Sequence, residues 1–276
     1  MSQPVIRMCW PGFAGIENLV IFGASYCDVG FDRTSPHPTP ERPLGVEYPG
    51  ITYAEPGEPN WVGHLVKKYS PCNKMLVYDY GTGGDKVPGV KRQIEHHFLP
   101  TIASRPDHAP WKENNTLFIT WVGINDSSWI DIDEIPEVVQ TLFDLQGDLY
   151  GCGARNFLLV DIPPLHRKNK VGLRQQMKYE TWNTNLRKGI IPFTTKYPEA
   201  TAMIYSSWDT FNRVLDDPTS FGFTEQDTVR GGGAIWVDHI HPTSKMHDII
   251  AQDMAKLLAK QAPLPEIAGS QAVDVS

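Results

Sequence analysis

Four short segments of this 276-residue chain carry side chains that can do chemistry. Ser25 stands two residues after Gly23, directly behind the apolar run Leu19-Val20-Ile21-Phe22. A hydroxyl in that place can be a nucleophile on a strand-to-helix turn, or merely a helix cap. Gly81-Thr82-Gly83-Gly84 follows a second apolar run, and Gly123-Ile124-Asn125-Asp126 follows a third. Asp238 and His241 share the stretch Asp238-His239-Ile240-His241-Pro242. Taken singly, each has an ordinary use: Asn125 can close an Asx turn, and His241 can be a structural loop histidine. Together they supply a nucleophile, backbone and amide donors for an oxyanion, and a base with a carboxylate close by. Serine is a weak nucleophile until a histidine takes its proton, and that histidine needs its other nitrogen held by a carboxylate.

Other chemistries fit these segments less well. The glycine cluster lacks both the phosphate-loop pattern ending in Lys-Ser/Thr and the dinucleotide-binding spacing. His239, His241 and His247 with Asp238 can be read as a metal site, but no second ligand cluster accompanies them. No metal and no cofactor is expected.

The elements that must position these residues follow from apolar runs alternating with helical patterns. Strands are expected at 18–22, 75–80, 116–122, 156–161 and 202–206, and helices near 60–69, 86–98, 135–150, 174–197 and 243–260. The βαβα rhythm predicts a three-layer α/β/α architecture around a central, mostly parallel five-stranded sheet. Ligands bind beyond the carboxyl ends of such strands, which is where three of the four segments fall. The last helix shows an apolar stripe of Met246, Ile249, Ile250, Met254, Leu257 and Leu258. Residues 31–60 hold Pro36, Pro38, Pro40, Pro43, Pro49, Pro56 and Pro59, which forbid a regular helix or central strand. That excursion and a second irregular stretch, about 208–236, are expected to flank Ser25 as binding walls. Trp61, Trp129, Trp208 and Trp236 are expected near the mouth, where they could stack on a ring.

Composition sets outer limits. With 41% hydrophobic and 21% charged residues the chain can build a core and an ordinary surface. One domain spanning 1–276 is expected, ordered over about 10–260, with a flexible tail at 262–276. A formal charge of −7 with no basic run disfavours nucleic acid as a partner and suits a small neutral or cationic substrate. No stretch approaches the roughly 18 apolar residues of a membrane helix. The first residues lack the apolar core of a signal peptide, so a cytoplasmic place is expected unless a leader has been removed. Cys9, Cys27, Cys72 and Cys152 show no paired spacing and are expected as free thiols.

The four blocks Phe22–Asp28, Tyr80–Gly84, Gly123–Asp126 and Asp238–His241 resemble, in order and interval, those of the SGNH or GDSL-type serine hydrolases. The resemblance is nearest to the fungal branch grouped with carbohydrate esterase family 16, through "WPGF" at 10–13, "PNWVGHL" at 59–65, "LYGCGARNFLLVDIPP" at 149–164 and "LDDPTSFGF" at 215–223. It implies a flavodoxin-like sheet and hydrolysis of small acyl esters, acetyl above all. It also implies Ser25 as nucleophile, His241 as base and Asp238 as its orienting carboxylate. The oxyanion donors would be the N–H groups of Ser25 and Gly84 and the amide of Asn125. An acyltransferase, an esterase tailoring a small metabolite, and an inactive binding module are the alternatives. Two positions depart from the family pattern: Ala24 replaces the usual Asp before the nucleophile, and Asp79 the usual Asn before the glycine block.

Overall fold

The computed structural model describes residues 3–169 and 172–265. Five strands, β1 (Asn18–Gly23), β2 (Leu76–Asp79), β3 (Thr116–Trp121), β4 (Asn156–Val160) and β5 (Thr201–Tyr205), form one sheet in the order β2-β1-β3-β4-β5. Every pairing is parallel. All residues of β1 and β3 are buried, as expected of strands covered on both faces. Helices Ile135–Gly151 and Leu173–Lys196 pack on one another, while Trp61–His64 packs against Ser244–Ala259, completing the three layers. Before β1, Val5 pairs antiparallel with Ala202 and so covers the edge of β5.

The last helix follows its sequence pattern. The Thr243 hydroxyl accepts the Met246 N–H at 3.2 Å as N-cap, and Met246, Ile250, Met254 and Leu258 are buried. Between Phe31 and Asn60 there is no helix or strand.

The turn after β1 is one turn closed by Cys27 N–H to Ala24 C=O, and the next regular helix begins at Trp61, within the expected 60–69. Three expectations need correction. The expected helices at 60–69 and 86–98 relax into wider π turns at Leu65–Tyr69 and Gln93–Phe98. Residues 208–236 are less irregular than expected, because Ser207–Asp216 is a helix. Its Ser206 cap accepts from Asp209 N–H, and Phe211, Val214 and Leu215 give it a buried face. Finally, Trp61 and Trp236 are fully buried and belong to the core rather than to a mouth. Trp236 stacks on Phe211, ring centres 5.3 Å apart. The tail expected at 262–276 lies, beyond Pro265, outside the described residues. All four cysteines are free.

Candidate active site

Parallel strands deliver β1, β2 and β3 to one edge of the sheet with their carboxyl ends together. The three turns that leave them lock onto one another. Gln93 receives the Gly23 N–H at 3.0 Å and donates to the Gly23 carbonyl and to Asp85, both at 2.8 Å. Asp28 accepts the Gly83 N–H at 2.8 Å, tying the first glycine turn to the serine turn. Asn60 caps the helix that starts at Trp61 and donates to the carbonyls of Tyr26, Cys27 and Asp28. Backbone carbonyls so fixed leave Ser25 little freedom.

On this frame Ser25, His241 and Asp238 meet. The Ser25 Oγ lies 2.9 Å from His241 Nε2, and His241 Nδ1 lies 2.7 Å from Asp238 Oδ2. A carboxylate only accepts, so Nδ1 carries the ring proton and Nε2 accepts from the serine hydroxyl. The other oxygen of Asp238 accepts the N–H groups of Ile240 and His241, each at 2.8 Å. Partial burial works against its charge, yet the hydrogen bonds from His241 and Ile240 outweigh it and hold the carboxyl down at about 2. The Tyr26 hydroxyl donates to the Ile240 carbonyl and joins the serine turn to this loop across the chain.

The expected oxyanion donors line the same edge. Gly84 has φ +82°, a backbone that side chains rarely adopt, and a Cβ there would meet only open space. Asn125 spends one amide N–H on the Asp85 carbonyl at 2.9 Å, which leaves the second for another acceptor. Neither Ser25 N–H nor Gly84 N–H has an acceptor among the described residues. Asp126 accepts the Val87 N–H at 2.9 Å and so holds the two turns together; burial pushes its carboxyl up to about 6.

Sequence reasoning missed Tyr53. It comes from the proline-rich excursion, and its ring centre lies 4.9 Å from that of His241. A lone tyrosine in an irregular stretch carries no spacing signal. Of the remaining tryptophans, Trp208 stacks on His166, whereas Trp129 is 79% exposed with Lys86 over its ring. His247, one of the four side chains of the metal reading, is buried beside Tyr26, and burial drives its pKa down to about 3. Among the described residues no cluster of three His, Cys, Asp or Glu side chains is placed to hold a metal ion. A cavity of about 650 Å³ lined by Phe13, Tyr69, Ala255 and Pro263 takes in none of these residues.

Residues 19–254 match the family model for GDSL-like lipases and acylhydrolases. The chain belongs to the GDSL family. It is 31% identical over 264 residues to an acetylesterase from Thermothelomyces thermophilus, covering 86% of both chains. Among solved structures, it resembles an acetyl-xylooligosaccharide esterase from Geobacillus (TM-score 0.57, 17% identity, 89% of this chain and 95% of that one). An alpha/beta hydrolase from the metagenome of Lake Arreo, Spain, is similar (TM-score 0.56, 15% identity, 92% and 100%). Those likenesses concern the fold, a parallel α/β sheet shared with other esterases. GDSL membership makes the protein an ester-bond hydrolase acting on small esters, in keeping with the resemblance of its four blocks.

Proposed function

We propose that this protein removes small acyl groups, acetyl above all, from esters by a covalent serine mechanism. The observation that carries the reading is the relay from Ser25 Oγ through His241 to Asp238, at 2.9 and 2.7 Å. Ser25 Oγ attacks the ester carbonyl carbon as its proton passes to His241 Nε2. The carbonyl oxygen, now negative, is met by the N–H groups of Ser25 and Gly84 and the amide of Asn125. Collapse of this intermediate breaks the bond to the alcohol, whose oxygen takes the proton from His241. Water then repeats the sequence on the acyl-serine and releases the acid. Asp238, ionised throughout the working pH range, keeps the ring in its tautomer.

Hydrogen bonds that already fix Ser25, Asn125 and Gly83, the neighbour of Gly84, support this reading, since donors held in advance need no reorganisation when charge develops. The acetyl preference is supported by the similarity to the Thermothelomyces acetylesterase. Neither departure from the family pattern obstructs the relay. Ala24 is buried and its side chain contributes no hydrogen-bonding group, and Asp79 lies beneath the glycine block, where its carboxyl accepts the Gly81 N–H.

The test is covalent labelling with a fluorophosphonate, located by mass spectrometry, together with a series of p-nitrophenyl esters of increasing acyl length. The expected outcome is one adduct on Ser25 and the highest kcat/KM on acetate. An adduct elsewhere, or none with esterase activity intact, rejects Ser25 as the nucleophile; a preference for long chains rejects the acetyl assignment.

A further inference from the structure

We propose that Tyr53 selects the alcohol half of the ester and favours alcohols that present a hydroxyl-bearing ring over acyclic ones. The inference rests on the Ser25 and His241 roles proposed above and adds to them a residue outside the four chemical blocks.

Tyr53 reaches from the base to the glycine turn. Its ring centre lies 4.9 Å from the His241 ring at an angle of 32°. At its other end the hydroxyl stands against Gly83, where a Cβ would lie only 1.9 Å from it. Gly83 is therefore glycine to admit Tyr53, a different reason from the positive φ of Gly84. The phenol hydroxyl makes no hydrogen bond among the described residues, and the side chain is 42% exposed beside a largely enclosed Ser25. It is thus one wall of the approach to the serine.

This position is built. Two residues on, Glu55 accepts the Ser244 N–H at 2.7 Å at the start of the helix that follows His241. The Pro59 carbonyl accepts the Ser244 hydroxyl at 2.7 Å, and Thr52 donates to the Glu58 carbonyl at 2.8 Å while receiving the Ala54 N–H. The segment around Tyr53 is pinned to the element that carries the base.

Chemistry assigns the wall to the alcohol. The departing oxygen takes its proton from His241 Nε2, so the first atoms of the alcohol must lie beside the imidazole, and Tyr53 borders it. A phenol offers that alcohol a flat, weakly polar face and one free hydroxyl. A cyclic polyol, with C–H groups on one face and hydroxyls at its rim, satisfies both. A short alkyl alcohol gains little from either.

The experiment compares the purified wild type with Tyr53→Ala, Tyr53→Leu and Tyr53→Phe on two acetates: a mono-O-acetylated methyl glycopyranoside, and the acyclic 2,2,2-trifluoroethyl acetate. Fluorophosphonate labelling of Ser25 is followed in each. For Tyr53→Ala and Tyr53→Leu the glycoside ester should lose about tenfold in kcat/KM, mostly through KM, as expected for a lost aromatic contact. The acyclic ester and the labelling rate should change less than about threefold, and Tyr53→Phe should lie between. The leucine variant keeps bulk at the site if the alanine variant does not fold. Equal losses on both esters, or no loss on either, with labelling intact, overturn the role of Tyr53 alone. Failure of the wild type to label at Ser25 overturns the serine reading and this one with it.

Discussion

Two constellations of serine, histidine and aspartate lie close together in this molecule. One joins Ser25, His241 and Asp238. The other joins Ser244, His64 and Asp248, and its histidine Nε2 is also 2.9 Å from its serine Oγ. They differ in where the hydroxyl proton goes. Ser244 donates it to the Pro59 carbonyl at 2.7 Å, so its oxygen can only accept from His64, whose Nε2 also faces the Ser244 carbonyl at 3.0 Å. His64 must therefore carry its proton on Nε2, which leaves Nδ1 buried without a hydrogen bond, 3.4 Å from Asp248, whose oxygens accept from Lys68 and Tyr69. Burial lowers the His64 pKa further against protonation. The Ser244 N–H is also taken, by Glu55. The second constellation is a brace for the helix beyond His241, whereas the Ser25 hydroxyl faces a ring nitrogen and the Ser25 N–H has no acceptor among the described residues. Residue types alone do not set the two serines apart; the acceptor of the hydroxyl proton does, a ring nitrogen at Ser25 and a backbone carbonyl at Ser244.

The sharpest way to break this contrast is to remove each hydroxyl. Ser25→Ala should lower kcat/KM on an activated acetyl ester by about 10⁴ or more, leaving the residue due to binding and oxyanion donors. Ser244→Ala should keep activity within about tenfold and instead cost about 1–2 kcal/mol of stability, because the Pro59 carbonyl and His64 lose a partner. Steady-state kinetics and denaturant unfolding on both variants read the difference, and a Ser25→Ala protein that keeps most of its activity ends the distinction.

A smaller separation is expected at the carboxylates. Asp238→Asn should cost roughly 10³ to 10⁴ in kcat, since an amide no longer enforces the tautomer in which Nε2 accepts the serine proton. Asp248→Asn should change kcat less than about threefold, because His64 already holds the opposite tautomer. With its folded pKa at about 2, Asp238 contributes stability that is present above the unfolded value and lost only as pH falls toward 2. Loss of activity between pH 8 and 5 would thus not arise from Asp238, and a D238N enzyme should show reduced turnover at every pH in that range.

The smallest effect concerns Asp79. Burial pushes its carboxyl well above the ordinary range; one oxygen accepts the Gly81 N–H at 2.9 Å, and the other has no partner. A raised folded pKa means stability that is present below the unfolded value and lost as pH rises through the folded one. Asp79→Asn, which keeps the acceptor and removes the charge, should raise the melting temperature, with a gain that grows from pH 4 to pH 8. Activity should move less than about threefold. A variant less stable than wild type at pH 8 would show that the proton, not the oxygen, is what the site requires.

The sheet was legible because β1, β3 and β4 are short apolar runs with no polar face, a pattern that only burial on both sides explains. The helix at Ser207–Asp216 was hidden by its shortness and by the glycines and irregular sequence that follow it. Trp61 and Trp236 illustrate a further limit. A large aromatic side chain suits a core and a binding platform equally well, and only neighbouring elements decide which.

By itself the sequence determined the residue types at the strand ends, and hence the chemical class they can support. Asp238 and His241 are close in the chain, so their contact is nearly local. Tertiary structure alone decided the rest: that His241 meets Ser25 across 216 residues, that Ser244 spends its proton on Pro59, and that Tyr53 crosses from His241 to Gly83. The physical reason is that a hydroxyl's role depends on which acceptor lies within about 3 Å of it, and here those acceptors are brought by distant parts of the chain.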